Sequence, residues 1–411
     1  MKAFSQLLTP ADARAVFARA YMPRPLGAER VTLLEAFGRV VAEEIRAGTD
    51  LPAFDRSTVD GYAVRATDTA DASRGAPVPL TVAGEVLMGR PTAVQIVEGQ
   101  AARIPTGGAI PAGADAVVMQ EYTVRKDGMV YVERPAAPGE NIVRRGDDLR
   151  QGEVVLPPGR RLRPQDVGLI AGMGRAEVEV FVRPRVAVVV TGDELLSPGE
   201  PAGGGQVFDM NTYTLAGLIE AAGGVPVPCG IVGDSLQLII ERAKSAHRSA
   251  DVVILSGGSS VGERDVVADA IAALGDPGIV VHGIAIRPGK PTVLAVAHGK
   301  PVFGVPGNVV SAMIVFDQFI RPVVEALAGL VPGRAVGGTV RARLTRALRA
   351  GEREDHVRVA LAERGGLLWA TPVPGGSAIM TSMVRADGFV VVPINTTLAE
   401  GDDVEVRLLA P

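Results

Sequence analysis

The chain has 411 residues, of which 47% are hydrophobic and 21% charged, with a formal net charge of −4. That length calls for two to four compact units, and the near balance of acids and bases excludes a chain built around nucleic acid or an anionic membrane surface. A single cysteine, Cys229, excludes an intrachain disulfide and a cysteine-based metal cluster, and histidines at 247, 282, 298 and 356 lack zinc-ligand spacing.

The opening segment "MKAFSQLLTPADARAVFARA" has no apolar signal-peptide core, and no apolar run approaches the ~20 residues of a membrane span, so a cytoplasmic protein is expected. "TPADARAVFARAY" predicts a helix in which Thr9 caps, Pro10 opens the first turn and Asp12 meets the positive dipole end. A second helix is predicted from Thr32 to Arg46. "AGTDLPAFDRSTVDGYAV" (47–64) then breaks the pattern with proline, glycine and three aspartates. From about 75 to 160 short β-like runs separated by Gly/Pro turns predict a small β module, and "RPQDVGLIAGMG" (163–174) predicts one more helix.

From Arg183 the rhythm alternates. Strands are predicted at 185–191, 225–231, 251–256 and within 279–296, and helices at 211–223, 235–248, 265–274 and 308–328. Apolar strands alternating with helices imply a parallel sheet covered on both faces. After "LVPGRA" short strands return and predict a separate β unit of about 80 residues. The fold class expected is multidomain, α/β plus β-rich: a central parallel-sheet α/β domain, an inserted β module and a C-terminal β domain.

In an open α/β sheet, ligands bind beyond the carboxyl ends of the strands. "TGDEL" (191–195), "GDS" (233–235) and "LSGGSSVGERD" (255–265) stand at such ends. The glycines 257, 258 and 262 serve either a tight turn or a cradle whose backbone N–H groups approach an anion. Neither a Walker A pattern nor G-x-G-x-x-G is present, which weakens ATPase and dinucleotide readings. Asp234 and Asp265 stand at helix N-cap positions, and Asp193 and Glu194 read equally as solvated turn acids. Four carboxylates at one sheet edge would repel unless they hold a cation, and beside phosphates the natural one is Mg²⁺. Arg287 and Lys290 in "RPGKP" either neutralise an anion or form a basic surface turn. Asp60 is a turn aspartate or a site residue, and Arg144 and Arg145 beside Asp147 and Asp148 read also as a surface ion-pair patch.

Nine collinear segments resemble one family: "PAFDRSTVDGYAV", "RIPTGGAIPAGADAVVMQE", "NIVRRGDDL", "VVVTGDEL", "DMNTYTLAGLIEAAGG", "LSGGSSVGERD", "AIRPGKP", "GVPGN" and "GSAIMTSM". In that order they make the chain similar, over essentially its full length, to the MoeA family of molybdopterin molybdenumtransferases, whose eukaryotic counterpart is the gephyrin E domain. The resemblance implies a homodimer of four-domain subunits, divided as 1–50 with 145–182, 51–144, 183–330 and 331–411. It implies insertion of molybdate into adenylylated molybdopterin with Mg²⁺-assisted release of AMP, at a site completed by the partner subunit, with other cofactor-synthesis proteins as further partners.

By the same resemblance, Glu194, Asp234 and Asp265 fall on the acidic, metal-holding positions. Gly257, Gly258, Ser259 and Gly262 form the phosphate loop. Asp60, Thr106 and Asp148 match polar positions on the opposing module. Arg287 and Lys290 match the basic turn, Pro306 the P-G-N loop, and Arg358 and Ser377 an oxyanion site. Two departures stand out: Gly283, beside His282, occupies a position where the family often has Lys or Arg, and Val309 one where a second proline is frequent. The alternatives are adenylylation by the α/β domain alone, a CinA-type pyrophosphatase or deamidase, and a gephyrin-like peptide-binding scaffold.

Overall fold

The computed structural model describes residues 7–257, 265–331 and 338–409. The chain forms two compact units, one of Met1–Ala42, Gly159–Arg163 and Val178–Pro411, the other of Glu43–Pro158 and Pro164–Glu177.

The larger unit is built on a six-stranded sheet in the spatial order Val225–Val232, Arg185–Thr191, Val252–Ser256, Lys300–Val305, Val293–Ala297, Pro277–His282. The first four strands are parallel. Val293–Ala297 runs antiparallel to both of its neighbours, so the parallel sheet expected here carries one reversed strand near its edge. The reason is the short connection Gly299-centred between Val293–Ala297 and Lys300–Val305, far too short for a crossover helix.

Two-sided burial explains the continuous apolar run of the central strand. Val186, Val188 and Val190 enter one core cluster, and Ala187 and Val189 enter the other, as the two-residue period of a strand demands. Helices Asn211–Ala221, Leu236–Ser249, Val266–Ala272 and the segment Val309–Leu327 cover the faces, the last through a π-helical turn at Phe316–Ile320. The N-terminal helix Pro10–Ala20 starts where predicted: the Asp12 backbone N–H donates to Thr9 Oγ1 at 3.1 Å. Its Phe17 ring packs 5.5 Å from that of Phe303, the largest fully buried side chain of the sheet.

The helix predicted from Thr32 to Arg46 is absent. Gly38 takes a left-handed φ of +72°, and the chain makes only single turns before it. The β-branched pair after it finds extended partners instead: Val40 bridges Arg161 and Val41 bridges Val180. Tertiary strand pairing overrides the local periodicity there.

The C-terminal region of this unit is a small closed barrel. Glu354–Arg364, Leu367–Pro372, Thr339–Leu344, Asp403–Leu408 and Gly388–Val392 pair in sequence, and the last pairs back onto the first. Closure removes its edges and encloses Val359, Ala370, Val390 and Val406. The short strand Ile286–Arg287 joins it by parallel pairing with Glu354 and Asp355.

The smaller unit carries a mixed six-stranded sheet in the order Ala116–Met119, Gly61–Val64, Gln100–Ile104, Val78–Glu85, Met129–Val132, Thr123–Lys126. The inserted β module is therefore as expected, with "GYAV" as an inner, fully buried strand rather than a polar break. Among the described residues no helix is long and apolar enough to cross a membrane.

Truncating Phe17 to Ala should leave a cavity against Phe303 and cost the larger unit about 3–5 kcal/mol. Urea unfolding checks this; a loss below about 1 kcal/mol would show that the N-terminal helix is not part of the sheet's core.

Candidate functional site

The carboxyl ends of Arg185–Thr191 and Val252–Ser256, and the loop after Lys300–Val305, frame a cleft of about 750 Å³. Its walls include Glu194, Asp209, Asn211, Asp234, Gly257, Gly307 and Asn308. Position follows from topology: each of these residues ends or follows a strand of the sheet, or opens the helix Asn211–Ala221.

Gly257 is the residue that lets the strand ends close up. Its φ is +134°, and a Cβ there would run into Thr191 Oγ1 and the Thr191 carbonyl. Only glycine fits so near a neighbouring backbone. Gly258, Ser259 and Gly262, the rest of the predicted phosphate loop, lie outside the described residues.

Glu194 and Asp234 share the cleft, and the Asp234 backbone N–H donates to Asp193 Oδ1 at 2.9 Å. Burial pushes the Asp234 carboxyl above the usual range, and repulsion from Asp193 and Glu194 adds to it, against a lowering hydrogen bond from the Asp193 backbone. A carboxylate raised by burial and by adjacent acids is one that a hard cation would relieve. Asp265 is engaged elsewhere. Its Oδ1 accepts from the Ala268 backbone N–H at 3.1 Å, capping Val266–Ala272, and its Oδ2 lies 3.3 Å from His282 Nε2. Among the described residues no group of three or more His, Cys, Asp or Glu side chains is arranged around a metal position.

The basic turn faces the barrel. Arg287 pairs with Asp355, whose side chain is 4% exposed and whose buried charge requires a partner. Lys290 is half-buried, and its carbonyl accepts from the Ile284 backbone N–H at 2.9 Å. Pro306 and Gly307 lead into Asn308, whose Nδ2 donates to Ser377 Oγ at 3.0 Å. Arg358, 8% exposed, donates from Nη2 to the Gly375 carbonyl, and its Nε has no hydrogen-bond partner. Burial lowers its pKa, yet a guanidinium stays charged. Arg358 and Ser377 thus meet at one loop, 373–380.

In the smaller unit the structure brings two predicted residues together. Asp60 Oδ1 accepts from the Thr106 backbone N–H at 2.7 Å and from Thr106 Oγ1 at 3.0 Å. These two bonds hold the Asp60 carboxyl below its ordinary range. Asp148 is exposed and donates its backbone N–H to the Leu51 carbonyl. The predicted patch at 144–148 pairs differently from the sequence neighbours: Arg145 binds Asp50, and Asp147 accepts from the Arg144 backbone at 2.8 Å.

Sequence reasoning assigned no role to Asp209 and Asn211, although both lie in the segment "DMNTYTLAGL". Both are buried cleft residues. Asp209 Oδ1 accepts from the Thr212 backbone N–H at 3.1 Å, and Asn211 Nδ2 bonds Ser256 Oγ at 2.7 Å. The available signal was a D-x-N triplet opening a helix after a glycine-rich turn.

The raised Asp234 pKa has a definite sign. A carboxyl raised on folding stabilises the native state fully only below its unfolded value, near 3.9, and that contribution is lost as pH rises through the folded value. At neutral pH ionised Asp234 is therefore a cost in the metal-free protein. Asp234→Asn should raise the metal-free melting temperature at pH 7.5, by less than about 2 °C because the group is solvent-screened, and the gain should vanish by about pH 4. A lower melting temperature at pH 7.5 would contradict the assignment.

Three family models match consecutive stretches of the chain: MoeA N-terminal region (domain I and II) over residues 8–174, probable molybdopterin binding domain over 187–326, and MoeA C-terminal region (domain IV) over 341–409. A molybdopterin molybdenumtransferase of Nostoc sp. is 34% identical over 388 residues, covering 93% of this chain and 88% of that protein. Its counterpart from Bacillus subtilis is 34% identical over 389 residues, covering 93% and 90%. The solved structure of the molybdopterin biosynthesis moeA protein from Pyrococcus horikoshii superposes with a TM-score of 0.82 at 31% identity, covering 98% of this chain and 100% of that one. The chain belongs to the MoeA family of molybdopterin molybdenumtransferases.

Proposed function

We propose that the chain inserts molybdate into adenylylated molybdopterin and releases AMP with Mg²⁺ present. The observation that carries this reading is the cleft, in which Glu194 and Asp234 stand with the glycine backbone at 257 and the Gly307–Asn308 loop. Mg²⁺ would be held by Glu194 and Asp234, with Asp265 joining as the third acid through Oδ2 in exchange for its contact with His282, and would supply charge neutralisation at the pyrophosphate.

The chain's own residues do positional and electrostatic work. At Gly257 no side chain stands between the backbone and the cleft, which leaves room for a phosphate there. Lys290 lies on the turn that brings positive charge to the same edge. Arg358, buried and with Nε unsatisfied, together with Ser377, suits a doubly charged oxyanion such as molybdate. Attack by water on the adenylyl phosphorus forms one P–O bond and breaks the pyrophosphate P–O bond, giving AMP and molybdopterin phosphate; attack by a molybdate oxygen instead gives adenylyl molybdate and molybdopterin phosphate, and water then cleaves the mixed anhydride to AMP and molybdate.

In the same reading the protein is a cytoplasmic homodimer of four-domain subunits, divided as the resemblance implies. The Asp60–Thr106 face of one subunit then complements the cleft of its partner. Exposed Phe208 (43%) and Tyr213 (59%) beside the cleft support a covering surface there.

Purified protein given adenylylated molybdopterin, Mg²⁺ and molybdate should release AMP only when molybdate is present, followed by chromatography. Glu194→Ala and Asp265→Ala should each lower that rate about 100-fold or more. Full activity in both variants, or ATP consumption without molybdate-dependent AMP, overturns the reading.

A further inference from the structure

We propose that Asn211 is a positioning residue that ties the floor of the cleft to the oxyanion subsite of the barrel through the Pro306–Asn308 loop. The inference rests on the functional reading above and adds a residue to it.

Asn211 is 5% exposed and opens the helix Asn211–Ala221. Its amide nitrogen has two N–H donors, and both are spent: one on Ser256 Oγ at 2.7 Å, the other on the Gly307 carbonyl at 2.8 Å. A carbonyl oxygen only accepts, so the bond to Gly307 fixes which way the amide faces. Asn211 Oδ1 is left buried without a hydrogen-bond partner, as is Thr191 Oγ1 nearby in the cleft wall. An unpartnered buried acceptor costs stability. The amide thus satisfies two acceptors on neighbouring strand ends at the cost of one of its own, which suits a residue that joins the two segments.

The two acceptors identify what the amide joins. Ser256 ends the strand Val252–Ser256, and Gly307 follows the neighbouring strand Lys300–Val305, with Ser256 opposite Val305 in the ladder. One residue beyond Gly307, Asn308 donates to Ser377 Oγ, and the Val310 backbone N–H donates to the Ser377 carbonyl at 3.2 Å. Two residues before Ser377, the Gly375 carbonyl takes the Arg358 guanidinium. A continuous set of bonds thus runs from the cleft floor, through Asn211 and the Pro306–Asn308 loop, to Ser377 and Arg358. Asn211 touches neither Ser377 nor Arg358; it acts on them by holding the loop between.

The chemistry suits a two-substrate site. The pterin nucleotide belongs to the cleft and the oxyanion to Arg358 and Ser377, and productive transfer requires both at one fixed separation. A loop pinned on one side by Asn211 and on the other by Asn308 sets that separation.

The test is a double-mutant cycle on AMP release in the full-length protein, with molybdate as the varied substrate. Asn211→Asp keeps the shape but removes both donors, and Asn308→Ala removes the bond to Ser377. Each should raise the half-saturating molybdate concentration about tenfold, the worth of one lost hydrogen bond, while kcat at saturating molybdate changes less than about threefold. The double variant should lie within about twofold of the worse single variant, because both break one linkage. Multiplicative effects near 100-fold, or an Asn211→Asp molybdate half-saturation within about twofold of the parent, overturn the proposal.

A purely structural role would lower melting temperature and kcat without selecting molybdate. If Asn211→Asp does not fold, as judged by near-UV circular dichroism, Ser256→Ala replaces it: it removes one acceptor of the same amide and should show the same non-additivity with Asn308→Ala, whereas additivity overturns the proposal. A parent protein that releases no molybdate-dependent AMP defeats the functional reading. A parent that does so, with Asn211→Asp unchanged toward molybdate, defeats this inference alone.

Discussion

The close approach of Gly257 to Thr191 is the constraint on which the cleft depends. Two adjacent parallel strands end side by side, and the backbone after one passes against the side chain and carbonyl of the other. No L-residue with a side chain tolerates both that φ and that proximity. Because the strand ends close up there, the Gly307–Asn308 loop and the start of the helix Asn211–Ala221 reach the same floor. The Asn211 amide, donating to Ser256 Oγ and to the Gly307 carbonyl, then fixes it.

Electrostatics divides the surroundings into two characters. The edge near "TGDEL" and "GDS" gathers acids, and there burial, with Asp193 and Glu194 close by, raises the Asp234 carboxyl, which is a standing demand for positive charge. The barrel side offers a buried guanidinium with an unsatisfied N–H and a hydroxyl in reach of the connecting loop. Arg287, predicted from its motif to meet phosphate or an oxyanion, neutralises buried Asp355 and so fastens the basic turn to the barrel strand Glu354–Arg364. A cation-seeking edge and an anion-seeking edge joined by one pinned loop fit a reaction that brings together a phosphorylated substrate and an oxyanion.

Much of this was legible in the chain. The strand–helix rhythm from Arg185 onward was readable because strands buried on both faces are written as unbroken apolar runs, and Thr9 announced its own cap. The stretch from Thr32 to Arg46 was not: its apolar spacing fits a helix, but Gly38 and pairing of Val40 and Val41 with distant residues decide the outcome. Asp60 and Thr106 were both singled out, yet their bond spans 46 positions and no local pattern encodes it. Asn211 was missed for the same reason, since its amide reaches residues 45 and 96 positions away. A polar residue at a helix start looks local in sequence; only the fold shows that its partners are not.

The most direct test of the central claim is a crystal structure of the protein bound to adenylylated molybdopterin and Mg²⁺. The account predicts pyrophosphate density against the Gly257 backbone, with metal density touching Glu194 and Asp234. Ligand density confined to the separate cleft of about 440 Å³ lined by Arg14, Phe389 and Arg407, with nothing between Glu194 and Asn308, would contradict it.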